Sequence, residues 1–236
     1  MSTDKSYVVV VDNIPITITH KRVRNINLRI GPGGDARMSV PMHMSKSRAT
    51  EEARSHASWF RTHVARVAAR SSEGPVRWET GESLCVWGEE RKLSVGCTHG
   101  VPSCQLDGEL LVICVPEGTT PEGRGKFVER WLREQMRERL NELVPLCEER
   151  VGAHATSITL RRMKSRWGSC TSSTGRIRLN VALAERAPKC LEMVLIHELC
   201  HLLVANHGPR FRALMDLHCP DWRVWQRMLN EHPPRV

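Results

Sequence analysis

The chain has 236 residues, 40% of them hydrophobic, and a formal net charge of +9 at neutral pH. That length and apolar content allow one substantial core, or one large and one small, and no run approaches the roughly eighteen apolar residues of a membrane span. The charge invites a nucleic-acid partner, but the arginines are spread over predicted helices as Arg61, Arg66 and Arg70, then Arg130, Arg133, Arg137 and Arg139, the second set interleaved with glutamates as on a solvated face.

From Tyr7 to Pro41 the pattern is β-like. Met1–Lys5 leads into Tyr7–Val11, a strand too short for the apolar core of a signal peptide. Ile14–Ile18 and Ile26–Ile30 alternate, and Gly31-Pro32-Gly33-Gly34-Asp35 predicts a tight turn before Ala36–Val40. Ser47–Arg70 reads as a helix, with Ala53, Ala57, Phe60, Val64 and Val67 at helical steps. A second β-rich stretch covers Val76–Pro116, and Thr119–Gly125 is a polar connection.

The next helix spans Lys126–Val151, its face of Val128, Leu132, Met136, Leu140 and Leu143 being core packing. Ser157–Arg162 is expected as a strand, Trp167–Gly175 as a turn-rich loop and Arg176–Leu183 as another strand. A long helix from Pro188 to Ala205 and short ones near Arg210–Leu217 and Trp222–Glu231 complete the chain. The order predicts an α+β fold, divided into an N-terminal β-rich region with one helix (1–118) and a C-terminal core (119–236).

Nine cysteines, an odd number without a Cys-x-x-Cys pair, predict reduced thiols and a cytoplasmic location. Cys85, Cys97, Cys104, Cys114 and Cys147 lie among apolar neighbours and are expected to be buried.

The helix from Pro188 carries His197-Glu198-Leu199-Cys200-His201. Two histidines four apart stack on one helical face, close enough for both imidazoles to bind one cation. Leu191, Leu195, Leu199 and Leu202 form one arc of the wheel, and Met193, Ile196, Cys200 and Leu203 continue it. A helix apolar nearly all round is a buried one, so the two imidazoles and the carboxylate cost several kcal/mol unless something binds them. Zn²⁺ answers that cost, with Glu198 placed as general base toward a water on the metal.

Asn206, by adopting the left-handed conformation, is expected to end the helix, and Gly208-Pro209 to prevent its resumption. The chain then turns back and carries His207 toward the pair. Three imidazoles with an open fourth position describe a catalytic site, whereas a thiol from Cys170 or Cys200 would close it. Arg161-Arg162-Met163-Lys164-Ser165-Arg166-Trp167 is a dense basic run that suits a phosphate or peptide carboxylate. Arg166 is the candidate for stabilising a developing oxyanion, and Trp167 is expected to anchor the following turn.

These residues resemble the YgjP-like metallopeptidases, a group of the zincin superfamily related in its core to the SprT-like proteases. The likeness runs from Arg24-Asn25-Ile26-Asn27-Leu28-Arg29-Ile30 and Ser39-Val40-Pro41 through Arg166-Trp167-Gly168-Ser169-Cys170 and Ile177-Arg178-Leu179-Asn180. It continues in the HELCH run, Asn206-His207-Gly208-Pro209-Arg210-Phe211 and Cys219-Pro220-Asp221-Trp222. Val181 and Arg212 depart from it, standing where relatives are expected to have tryptophan.

The resemblance implies a zincin-like catalytic core, with the HExxH helix under a small sheet whose edge strand borders the cleft, here expected as Arg176–Leu183. It also implies hydrolysis of a peptide or unfolded-protein substrate by a zinc metallopeptidase. Some relatives carry a UTP pyrophosphatase label, and Arg161, Arg162 and Lys164 would suit a triphosphate, although three imidazoles favour zinc over the Mg²⁺ usual in such sites. A zinc-stabilised nucleic-acid module is the third reading, but the seven tryptophans are dispersed and only one tyrosine exists. No membrane partner is expected.

Overall fold

The computed structural model describes residues 6–31, 33–72 and 76–234, with side chains at 66 and 69–72 left aside. The expectations for Met1–Lys5, Pro32 and the Arg66 and Arg70 side chains lie outside the described residues. The fold is α+β, and by its contacts the chain divides into two compact units, 1–76 and 77–236.

The first unit holds strands β1 (Ser6–Val11), β2 (Ile14–Lys21), β3 (Asn27–Ile30) and β4 (Ala36–Pro41), ordered β1-β2-β4-β3. Asp12 and Asn13, at φ 50° and 62°, form the two-residue turn between β1 and β2. Both tolerate the left-handed region, and such a turn matches the twist of a hairpin. Alternate residues Ile16, Ile18, Met38 and Val40 are buried with Ala49, Ala53 and Phe60 of two helices, α1 (Lys46–Ser55) and α2 (Ala57–Ser72). One helix was expected here. It is interrupted at His56, where the Ser55 hydroxyl donates to the Glu52 carbonyl at 2.8 Å and His56 Nδ1 meets the same oxygen at 2.8 Å. Such side-chain bonds compete with the helical ladder.

The second unit begins with β5 (Ser83–Val86), β6 (Glu89–Cys97), β7 (Ser103–Asp107) and β8 (Leu110–Val115), ordered β5-β6-β8-β7. Helix α3 (Pro121–Val151) starts five residues before the expected Lys126. Thr120 caps it by accepting from Gly123 N–H at 3.2 Å, and Pro121 suits the first turn. Val86, Leu93, Leu111 and Ile113 of this sheet share one buried core with α3 and the later helices. The contact division between the two units falls at 76/77.

After α3 come β9 (Ser157–Arg161), β10 (Gly168–Thr171) and β11 (Arg176–Asn180), then a 3-10 turn at Val181–Glu185. The last helices are α4 (Pro188–Leu203), α5 (Pro209–His218) and α6 (Trp222–Glu231). The three strands are ordered β10-β11-β9, which corrects two expectations. The segment read as a loop contains a strand, β10, whose Gly-Ser-Cys-Thr sequence has no apolar alternation and which exists by pairing antiparallel with β11. The strand expected at the edge, β11, is central, because it also pairs in parallel with β9. It stops at Asn180, whose Oδ1 accepts from Ala182 N–H at 3.1 Å and starts the 3-10 turn.

Helix α4 is buried at Cys190, Leu191, Met193–Ile196, Leu199 and Cys200, while Leu203 near its end is 41% exposed. Among the described residues no helix is long and apolar enough to cross a membrane. All nine cysteines are free. Cys85 and Cys97 are exposed, against expectation: Cys85 falls on an outward position of β5, and Cys97 is the last residue of β6.

Candidate metal centre

Helix α4 ends where Val204 turns extended at φ −144° and ψ 114°. A β-branched residue favours that conformation, so Val204 stops the helix and Asn206 does not take the left-handed form expected of it. The reversal leads through His207 to Gly208, which precedes α5.

The structure brings His197, His201 and His207 together. Nε2 of His207 lies 3.0 Å from Nε2 of His197 and 3.1 Å from Nε2 of His201. One Nε2–H can serve only one of these neighbours, so hydrogen bonding leaves the trio incompletely satisfied. Nitrogens about 2.0–2.1 Å from one tetrahedral ion lie roughly 3.3 Å apart, close to the spacing seen. The residues fit a shared cation.

Their protonation suits that use. Burial, then the neighbouring His201 and His207, pushes the His197 pKa down to about 3. Burial also lowers that of His201. Nδ1 of His201 lies 3.2 Å from the Val204 carbonyl, and a proton placed there leaves the Nε2 lone pair facing inward. Phe211 of α5, 1% exposed, contacts all three imidazoles, at centroid distances of 4.9, 4.6 and 4.7 Å. It forms the apolar floor of the site. Sequence reasoning gave Phe211 no role, although an aromatic four residues after His207 in the returning helix was a usable signal.

Glu198 lines the same pocket and is only 5% exposed. Burial raises its pKa to about 7, against a lowering pull from Arg166. Beside it the Gly168 backbone approaches so closely that no side chain would fit without displacing the carboxylate. Arg166 also lines the pocket, and among the described residues its guanidinium has no hydrogen-bond or ion-pair partner.

Asn180 holds that segment in place. Fully buried, it donates to the carbonyls of Met163 at 2.8 Å and Arg166 at 2.7 Å. Its backbone N–H donates to Trp167 at 2.9 Å. Trp167 packs against the core with the Arg186 guanidinium 5.7 Å from its ring centroid.

Cys170 lines the pocket, but among the described residues the group able to hold a metal is the three histidines, without a thiol. Cys200 is fully buried, and burial pushes its thiol up to about 11. Of the basic run, Arg162 is tied to Glu185 at 2.6 Å and Glu129 at 3.8 Å.

Residues 24–232 match the family described as YgjP-like, metallopeptidase domain. The chain belongs to the YgjP-like family. Membership makes it a metallopeptidase-type hydrolase and implies a metal ion and a peptide or protein substrate. Neither departure from the YgjP-like pattern lines the pocket: Val181 is buried in the 3-10 turn and Arg212 is exposed on α5.

Among curated proteins none matches the chain. Two solved structures resemble part of it. The metallopeptidase zymogen abylysin of Pyrococcus abyssi is 18% identical, with 41% of this chain and 98% of that one covered and a TM-score of 0.37. The metallopeptidase zymogen jannalysin of Methanocaldococcus jannaschii is 21% identical, with 38% and 96% covered and a TM-score of 0.32.

Proposed function

We propose that this YgjP-like protein is a zinc-dependent peptidase in which His197, His201 and His207 hold the ion and Glu198 is the general base. The observation that carries the reading is the convergence of three Nε2 atoms beside a buried carboxylate. An all-imidazole donor set favours zinc over magnesium or calcium. When bound, zinc supplies Lewis-acid polarisation of a substrate carbonyl and acidifies a water at its open position.

Glu198 accepts a proton from the attacking water and passes it to the leaving amine. Its raised pKa suits both halves of that task, since a group near 7 releases as readily as it takes. Arg166 places a positive charge at the rim, where it stabilises the developing oxyanion. Phe211 excludes water from beneath the imidazoles.

A peptide reaches this site by adding to the free edge of β10. Because Asn180 N–H bonds the Trp167 carbonyl, antiparallel alternation turns Ser169 toward β11 and leaves the backbone groups of Gly168 and Cys170 on the open edge. Strand addition is a general recognition mode for extended chain. The triphosphate alternative is weaker, since Arg162 is engaged by two glutamates. The free thiols fit a cytoplasmic setting.

The test is turnover of an unfolded protein and of UTP, side by side, by the zinc-loaded chain and by Glu198→Gln. The expected result is cleavage of the protein substrate, lost in the variant. UTP hydrolysis that survives Glu198→Gln, with the protein substrate untouched, would contradict the reading.

A further inference from the structure

Much of the net charge of +9 is not used by the metal centre, and the strand registers show where part of it lies. Ser169 and Thr171 of β10 stand opposite Arg178 and Arg176 of β11, and Arg178 pairs in turn with Thr159 of β9. Residues opposite one another share a face. Theirs is the outer face, because the alternate residues Ile177 and Leu179 are buried in the core. Arg161, two residues after Thr159, belongs to the same face.

Arg161, Arg176 and Arg178 are all exposed, and none has a hydrogen-bond or ion-pair partner among the described residues. The three strands contain no acidic residue at all. The unpartnered guanidinium groups of Arg176 and Arg178, one strand in, and the hydroxyls of Ser169 and Thr171 therefore adjoin the strand edge that borders the metal pocket, with Arg161 one strand further away.

We propose that this face selects acidic polypeptide segments, laid along β10 with carboxylates at alternate positions. The proposal rests on the peptidase reading above. A chain added to β10 continues the sheet, so every second side chain projects onto the outer face. Arg176 and Arg178 repeat at that same two-residue period, about 7 Å. The added strand lies two strand spacings from β11, about 10 Å, which a long arginine stem and a glutamate reaching toward it can bridge. Ser169 and Thr171 supply hydroxyl donors between them. Single-stranded nucleic acid is the rival polyanion. It is bound through aromatic stacking as well as charge, and these strands hold no aromatic residue.

The test compares two peptides of equal length, one with Glu and one with Gln at alternate positions, cleaved by the zinc-loaded full chain at low and high NaCl. The Glu peptide is expected to have the higher kcat/KM, by roughly three- to tenfold at low salt, since each exposed charge pair is worth a few-fold at most. Salt should shrink that preference. Arg176→Gln/Arg178→Gln should bring the ratio to about one, and Arg176→Lys/Arg178→Lys should keep most of it. Equal cleavage by the wild type overturns the proposal and leaves the peptidase reading standing.

If neither peptide is cut, the peptidase reading fails, and fluorescence anisotropy with Glu198→Gln decides the face separately. Preferential capture of the Glu peptide that depends on Arg176 and Arg178 supports it, and equal capture overturns it. A labelled single-stranded oligonucleotide that binds more tightly than the Glu peptide, and loses that advantage in Arg176→Gln/Arg178→Gln, overturns it in favour of nucleic acid.

Discussion

A Cβ on Gly168 of β10 would stand 2.4 Å from Oε1 and 2.8 Å from Cγ of Glu198 on α4, so the strand and the carboxylate meet with no room for a side chain. The Glu198 side chain can yield to an added methyl more easily than the fold can. Gly168→Ala should therefore keep the zinc and most of the stability while moving the base out of position. A displacement of about 1 Å at a catalytic group costs on the order of a hundredfold in rate. Metal analysis and kcat measured on the same preparation check this.

The second prediction concerns pH. In the proposed mechanism Glu198 serves as a base only when deprotonated, and burial raises its pKa to about 7 while Arg166 pulls it down. Activity should rise with pH along an acid limb set by this group. Removing the cation in Arg166→Ala raises the pKa further, so the limb should move to higher pH. A bound cation shifts the limb downward in both proteins and leaves the sign of the difference unchanged. The kcat/KM profile of the two proteins reads it directly.

Asn180 shows what sequence made visible and what it did not. The spacing of His197 and His201 follows from helical geometry, and the buried character of α4 follows from its apolar wheel; both could be read from one segment. Strand β10 could not, because its four residues carry no periodic pattern and its place depends on pairing with β11. The same dependence put β11 at the centre of the sheet. The close fit of Gly168 to Glu198 joins two segments thirty residues apart in sequence, and no local rule connects them. Nor does a lone Asn180 announce that it will bond Met163 and Arg166 across the fold.

That network makes Asn180 testable by itself. Asn180→Leu would leave the carbonyls of Met163 and Arg166 and the N–H groups of Met163 and Ala182 without their partner. Each unsatisfied group costs about 1–3 kcal/mol, so a loss of about 3 kcal/mol is expected from urea unfolding. Asn180→Asp keeps the acceptor but sets a fully buried carboxylate against two carbonyl oxygens, so it should cost at least as much as Asn180→Leu.

A fourth prediction lies away from the site. Glu192 of α4 bonds Lys189 at 2.7 Å and Arg150 of α3 at 2.8 Å, and its side chain is 14% exposed. Burial raises its pKa, but the bonds from Lys189 and Arg150 outweigh that and the net shift is downward. A depressed folded pKa contributes stability that is present above the unfolded value, about 4.3, and is lost as pH falls through the folded one. Glu192→Gln should thus cost about 1 kcal/mol near neutral pH, a shift of roughly 2–4 °C in Tm. The gap between variant and wild type should close on acidification below about pH 4.

The central claim is a zinc ion held by His197, His201 and His207 with one position left open, and zinc-edge X-ray absorption on the purified full chain tests it most directly. The predicted spectrum has three imidazole nitrogens and one further light atom at about 2.0–2.1 Å. A sulfur shell near 2.3 Å, or no stoichiometric zinc in the protein at all, would contradict the account.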